Sequence, residues 1–254
     1  MLISSLYVNK LCLTALTVIL LLTASTLTHA RDLEIVFSDY KPYSWQDQNG
    51  ESHGLEVEIL REALQVRMGI KTSFKVLPWA RAQKRVQNGF ADAFVAVPTL
   101  KRLAYTKASK QAIATWGVSI FTYSKSPQMK ELRNINALGQ LKPYRLGSMI
   151  GNGWAEENLA GMNVKWVAGM DQLITMLALE RIDAVADSPM VIHFYAKKNN
   201  VKGVINEVKK ISSSHLYLCL SLKSEYVSIL PEFDKTIIKM RKDGSLQKIL
   251  NHYQ

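Results

Sequence analysis

Apolar runs of strand length alternate with amphipathic stretches of helix length along this chain, and the alternation runs twice. LEIVF at 33–37 reads as a strand, followed by a polar loop holding Pro42, Asn49 and Gly50. LEVEILREALQVRMG then places Leu55, Ile59, Leu60, Ala63, Leu64 and Val66 at helical spacing, with Gly69 positioned to stop the helix. TSFKVL is a second strand, PWARAQKRVQNG a helix opened by Pro78 and closed by Gly89, and ADAFVAV a third strand. Strand, helix, strand in this order predicts a parallel sheet with crossover helices. The pattern restarts with YRLGSMI, WAEENLA, NVKWVA, MDQLITMLALE and DAVAD, and a helix follows over 189–198. Two apolar, β-rich runs at 118–123 and 215–222 flank the second unit, spaced as strands joining two lobes would be. A helix stopped at Gly244 and a short final helix end the chain. Two α/β units joined twice, with no low-complexity tether, predict a hinged clamshell.

The only long apolar stretch, 11–22, is too short to span a bilayer comfortably. With Lys10 before it and Thr28-His29-Ala30 after it, the stretch reads as a signal peptide cleaved after Ala30. The rival is an uncleaved anchor. Cleavage removes Cys12 and leaves Cys219 alone, which excludes an internal disulfide; Cys219, within HLYLCLSL, reads as a small buried hydrophobe. The formal charge of +11 suits acidic partners, yet the basic residues are scattered, and export argues against nucleic acid. The histidines stand apart, and no H-E-x-x-H, G-x-S-x-G, P-loop or CxxC occurs. Neither a catalytic set, a metal site nor a cofactor is expected.

Ligands of open parallel sheets bind beyond the carboxyl ends of the strands. That rule selects Asp39, Tyr40, Tyr43 and Trp45 after the first strand, Trp79 and Arg81 after the second, and 96–102, with Thr99 and Arg102, after the third. From the second unit it selects Gly151, Asn152, Gly153, Trp154, Asp187 and Ser188. Arg102 offers a guanidinium fork for a carboxylate, or is a surface arginine, and Arg81 is a weaker candidate of the same kind. The glycines of 151–154 would let backbone N–H groups approach a ligand. Asp187 could accept from a ligand ammonium or cap the helix at Pro189. Tyr43, Trp45 and Trp79 could wall a pocket or simply pack.

These motifs resemble the bacterial extracellular solute-binding proteins of family 3, the amino-acid type that feeds ABC importers. DYKPYSW matches the opening strand and Pro-aromatic turn, QNGESHGLEVEILREA the stretch that follows, and VQNGFADA the family's L-x-x-G-x-x-D-A. T-L-K-R at 99–102 stands where members carry T-P-E-R, whose Arg holds the ligand carboxylate; A-L-E-R-I-D-A-V-A-D and M-R-K-D-G-S-L-Q-K-I-L match later motifs. PWARA resembles a branch sharing P-W-x-R-A. The chain departs from the pattern in lacking that Pro, in Glu180 replacing Gly before Arg181, and in a shorter stretch between Asp92 and Arg102. The resemblance implies an α/β type II periplasmic binding protein fold, with lobe 1 from 31–121 plus 217–254 and lobe 2 from 122–216, joined by two hinge strands. It implies a periplasmic monomer that closes on a small polar ligand and delivers it to an inner-membrane ABC permease. A dehydratase-like enzyme on the same fold, using Asp187, Glu156 or Glu157, and a ligand-sensing partner of a membrane receptor are the alternatives.

Overall fold

The structure, a computed structural model, describes residues 31–253. The expected signal peptide lies outside them. Among the described residues no helix is long and apolar enough to cross a membrane.

The first unit forms as its pattern predicts. Strand β1 (Leu33–Phe37) leads through a short hairpin, β2 (Trp45–Gln46) and β3 (Ser52–His53), into α1 (Leu55–Leu60). Strand β4 (Thr72–Val76), α2 (Trp79–Asn88) and β5 (Ala93–Ala96) follow, and β1 lies parallel to both β4 and β5. Helix α1 continues as a wider π-helical stretch over Arg61–Arg67. That widening explains a departure from the helical spacing. With about 4.4 residues per turn the apolar stripe rotates, so Leu64 stays buried while Val66 turns out to solvent at 68% exposure.

A short helix α3 (Leu100–Leu103) and strand β6 (Thr106–Ala108) come next, neither anticipated from the sequence, and then the long strand β7 (Ala114–Tyr123). Helix α4 (Met129–Arg133) precedes the second unit. That unit comprises β8 (Leu146–Met149), α5 (Gly153–Asn158), β9 (Val164–Val167), α6 (Met170–Ala178), β10 (Ala184–Asp187) and α7 (Pro189–Lys198). Its three strands are parallel, with β8 between β9 and β10.

Strand β11 (Ile205–Ser221) is far longer than the apolar run at 215–222 predicts. It runs antiparallel to β7 from Ile205 to Leu216, then pairs with β5 from Tyr217 to Leu220 and, at its end, with β6. β7 in turn pairs antiparallel with β10. One sheet therefore runs in the order β4-β1-β5-β11-β7-β10-β8-β9, with the parallel units at its two ends and β11 and β7 between them. The first half of β11, INEVKKISSS, shows no strict alternation, because much of it is only partly covered. Two register shifts interrupt its pairing with β7. Helices α8 (Leu230–Lys242) and α9 (Ser245–His252) return to α1, where Arg67 bonds Asp243 at 2.6 Å and Ser245 at 2.8 Å.

Cys219 is fully buried in a small apolar cluster under α2 with Val36, Ala82 and Phe94, and burial pushes its thiol up to about 12. A thiol held protonated is unreactive.

Gly54 fixes the entry to α1. Its φ of +119° belongs to glycine, and a Cβ there would stand 2.4 Å from the Tyr43 carbonyl oxygen. That approach lets Leu55 N–H donate to Pro42 O and Glu56 N–H to Tyr43 O. Gly54→Ala should therefore destabilise the protein by more than about 3 kcal/mol. Gly69→Ala, also left-handed but in open space, should cost only about 1 kcal/mol. Denaturant unfolding of the two variants checks the ranking, and equal losses would refute the steric account.

Candidate functional site

The carboxyl ends of the strands from both halves of the sheet converge on one cleft of about 650 Å³, counted to its open mouth. That volume falls within the range of small-ligand pockets. Its wall carries Arg102 from the first half, Asp187 and Trp154 from the second, and Trp116 from β7 between them.

Arg102 is placed by α3, whose N-cap Thr99 accepts from the Arg102 backbone N–H. Its side chain is 4% exposed. Nε donates to Gln83 Oε1 at 3.0 Å, Nη1 to the Val97 carbonyl at 2.8 Å and Nη2 to the Gly151 carbonyl at 3.2 Å. The guanidinium also lies over Trp79, 5.4 Å from the ring centroid. Every one of these partners is neutral, and no carboxylate pairs with Arg102 among the described residues. A guanidinium has five N–H donors, so capacity remains toward the cleft. Burial without a counter-ion holds its pKa below the usual arginine value.

The turn at 151–153 is shaped to this arginine. Gly151 has φ +82°, and a Cβ there would lie 2.8 Å from Gln83 Nε2 and 3.3 Å from Trp79 Cδ1. A Cβ on Gly153 would lie 3.0 Å from Arg102 Cζ. Both glycines thus allow the second half of the sheet to press its backbone onto the first. Gln83 Nε2 adds a bond to the Gly151 carbonyl at 3.1 Å.

Asp187, at the end of β10, is 1% exposed. Its Oδ1 accepts from the Ser188 N–H at 2.7 Å and from the Tyr40 hydroxyl. The cap of α7 is Ser188, with Pro189 first in the helix, so capping is not the duty of Asp187. Burial raises its pKa to about 6, against the pull of those two donors. Tyr40 also accepts from Trp116 Nε1 at 3.1 Å, and Trp116 meets Trp154 edge to face. The turn carrying Tyr40 is closed by its backbone bonds with Ser44.

The other sequence candidates divide. Trp79, Asn152 and Trp154 line the cleft. Asn152 caps α5, accepting from Ala155 N–H at 3.2 Å. Tyr43, Thr99 and Gly153 stand directly behind the wall; Tyr43 is buried with its hydroxyl 3.4 Å from Ser188 Oγ. Trp45 and Arg81 lie away from it. Trp45 stacks on His53 in the β2–β3 hairpin, and Arg81 is on the exposed face of α2, because the helix turns Trp79, Ala82 and Gln83 inward instead. Asp39 accepts from Tyr195 at 3.0 Å. Glu156 and Glu157 are outside the cleft wall, Glu156 pairing with Lys101 at 3.1 Å.

Sequence reasoning missed Gln83, Trp116 and Glu56. Gln83 was legible as the residue one helical turn past Trp79. Trp116 lies before the run at 118–123 and carried no signal. Glu56 sits inside an amphipathic helix pattern as an apparent solvent position, yet it is 6% exposed and lines the cleft. Burial raises its pKa to about 8.

For Asp187 the folded pKa lies above the unfolded value of 3.8, so the folded state binds the proton more tightly. Its contribution to stability is present below about pH 4 and is lost as pH rises toward about 6. Asp187→Asn should therefore gain stability over the ligand-free wild type across that window. Melting curves at a series of pH values read the difference, and parallel curves would refute the assignment.

The model of the bacterial extracellular solute-binding proteins, family 3, matches residues 33–254. The L-cystine-binding protein TcyJ of Escherichia coli (strain K12) is 23% identical over 217 residues, 83% of this chain and 77% of that protein. Among solved structures, a histidine kinase sensor domain with similarity to periplasmic binding proteins superposes with a TM-score of 0.75 at 18% identity, covering 88% of this chain and 96% of that one. An ancestral arginine-binding protein bound to arginine gives 0.70 at 23%, covering 87% and 97%. The fold is thus the type II periplasmic binding fold, and the chain belongs to the bacterial extracellular solute-binding proteins of family 3.

Proposed function

We propose that this protein captures an α-amino acid in the periplasm and presents its closed form to an ABC permease. Residues 1–30 are the export signal in this reading. Residues 31–121 with 217–254, and 122–216, are the lobes, hinged at β7 and β11. The observation that carries the proposal is the pairing across one cleft of a buried, ion-unpaired Arg102 with a buried carboxyl, Asp187. An α-amino acid brings the complement of both: a carboxylate for the guanidinium fork and an ammonium for Asp187. The cystine-binding and arginine-binding relatives support the same class. Trp79, Trp116 and Trp154 supply apolar walls around the polar ends.

Closure follows from differential affinity. Arg102 comes from the first half of the sheet and Asp187 from the second, so a ligand held by both favours the closed state by what it gains from the second contact. The bonds of Gln83 and Arg102 to Gly151 assist that state. Asn152 and Thr99 position the turn and the arginine by capping short helices, and Tyr40 and Tyr43 tie the β1 loop to Asp187 and Ser188.

The test is a thermal-shift screen of the purified, unfolded-and-refolded protein against the amino acids, small carboxylates and polyamines. A ligand that binds only the folded state raises the melting temperature. Amino acids should do so and simple amines should not. Arg102→Met should weaken the responding amino acid by about 1.5–3 kcal/mol, read by calorimetry. No shift with any amino acid, or unchanged affinity in the variant, would overturn the reading.

A further inference from the structure

A chain of hydrogen bonds joins β7 to Asp187 through the loop that follows β1. Trp116, 5% exposed, donates its indole Nε1–H to the Tyr40 hydroxyl oxygen at 3.1 Å. The Tyr40 hydroxyl donates in turn to Asp187 Oδ1. An indole N–H only donates, so the polarity of the chain is fixed. With Trp116 on its oxygen, Tyr40 has its one hydrogen directed at the carboxyl. Its ring is held by stacking on Tyr43, centroids 5.7 Å apart, and its backbone by the bonds to Ser44. Burial and the neighbouring Asp187 charge push the pKa of Tyr40 well up, so it remains a donor throughout the neutral range.

The second donor on Asp187 Oδ1, the Ser188 N–H at 2.7 Å, is equally one-way. Two donors fill that oxygen, so a proton on Asp187 sits on Oδ2, which has no hydrogen-bonding partner among the described residues. Oδ2 is also the oxygen left for a ligand ammonium. Proton and ammonium therefore compete for one atom, and the donors on the other oxygen favour the anion that the ammonium needs. Burial works against them and holds the carboxyl at about 6. The other titratable groups nearby do not replace Tyr40. Tyr43 spends its hydroxyl on Ser188 Oγ, and Arg102 is held by Gln83, Val97 and Gly151. Glu56, also on the cleft wall, is pushed up to about 8 by burial and is neutral where Asp187 titrates. Lys210, in register with Asp187 beyond Ser119, is exposed.

We propose that Tyr40 is a positioning residue for ligand capture: its hydroxyl, oriented by Trp116, keeps Asp187 ionised and leaves Oδ2 free for the α-ammonium. The role of Oδ2 rests on the amino-acid reading above; the coupling of Tyr40 to Asp187 does not. The sign of the pH dependence follows. Binding is full above about pH 6, where Asp187 is ionised, and is lost as pH falls through that value. Without the Tyr40 hydroxyl the carboxylate loses a donor made to its charged form, so the loss begins at a higher pH. Trp116 acts one step back. Without its N–H the Tyr40 hydrogen gains a choice of direction, which gives an effect of the same sign and smaller size.

Carbon-13 NMR of the refolded protein, labelled at its aspartate carboxyls, reads the titration of Asp187 directly, with Asp187→Asn assigning the signal. The wild type should titrate near pH 6. Tyr40→Phe should move the midpoint up by at least about one pH unit, a tenfold change in the proton equilibrium, and Trp116→Phe should move it up by less. The second readout is the rise in melting temperature given by an equimolar mixture of L-amino acids, from about pH 5 to 8. That rise should fall to half near pH 6 in the wild type and at a higher pH in Tyr40→Phe, growing toward the wild-type value at the alkaline end. An unmoved Asp187 midpoint in Tyr40→Phe, or a rise lowered equally at every pH, would overturn the assignment and leave the hydroxyl a packing role. A mixture without effect on the wild type, beside a midpoint that does move, would overturn the amino-acid reading and leave the coupling standing. If Tyr40→Phe does not fold, Trp116→Phe, which keeps an aromatic wall, decides by the direction of its midpoint.

Discussion

The arrangement of the cleft depends on one unneutralised buried cation. Taking a guanidinium out of water costs several kcal/mol even after the surroundings relax. Here the cost is offset by two carbonyls, an amide oxygen and the face of Trp79 rather than by an acid. Much of the local sequence follows from that choice. Val97 must present its carbonyl just past the end of β5, Thr99 must cap the turn that carries Arg102, and Gly153 must lack a side chain where the guanidinium lies. Gly151 must take a left-handed backbone to bring its carbonyl across. Neutral partners hold the arginine in place while leaving its charge available, which an Asp or Glu in their position would not.

A second constraint comes from β11. The strand belongs to both ends of the sheet, bonding β7 along most of its length and β5 and β6 at its end. Any rotation of one α/β unit against the other must therefore be absorbed within continuous, hydrogen-bonded strands. The register shifts near Glu207 and Lys210 are where that ladder is already irregular. A sheet continuous through the centre keeps the two walls in register, so the residues that meet across the cleft do so reproducibly: Arg102 with Gly151, Tyr40 with Asp187, Tyr43 with Ser188.

What could be read from the sequence was whatever periodicity and breakers encode. The βαβαβ units, the stops at Gly69 and Gly89, Pro189 opening α7 and the Gly244 break all follow from local chemistry. The early half of β11 was not legible, because its partners are far along the chain and INEVKKISSS carries no strict alternation. At the site, Arg102, Asp187 and Trp79 could be named because each follows a strand end, where topology alone predicts a cleft. Trp45 and Arg81 satisfied the same rule and lie elsewhere, since a hairpin and the exposed face of α2 redirect them. Glu56 was hidden for the opposite reason. An acid between apolar residues at helical spacing reads as a solvent position, and only the packing of the Tyr43 loop over Gly54 converts that face into a cleft wall.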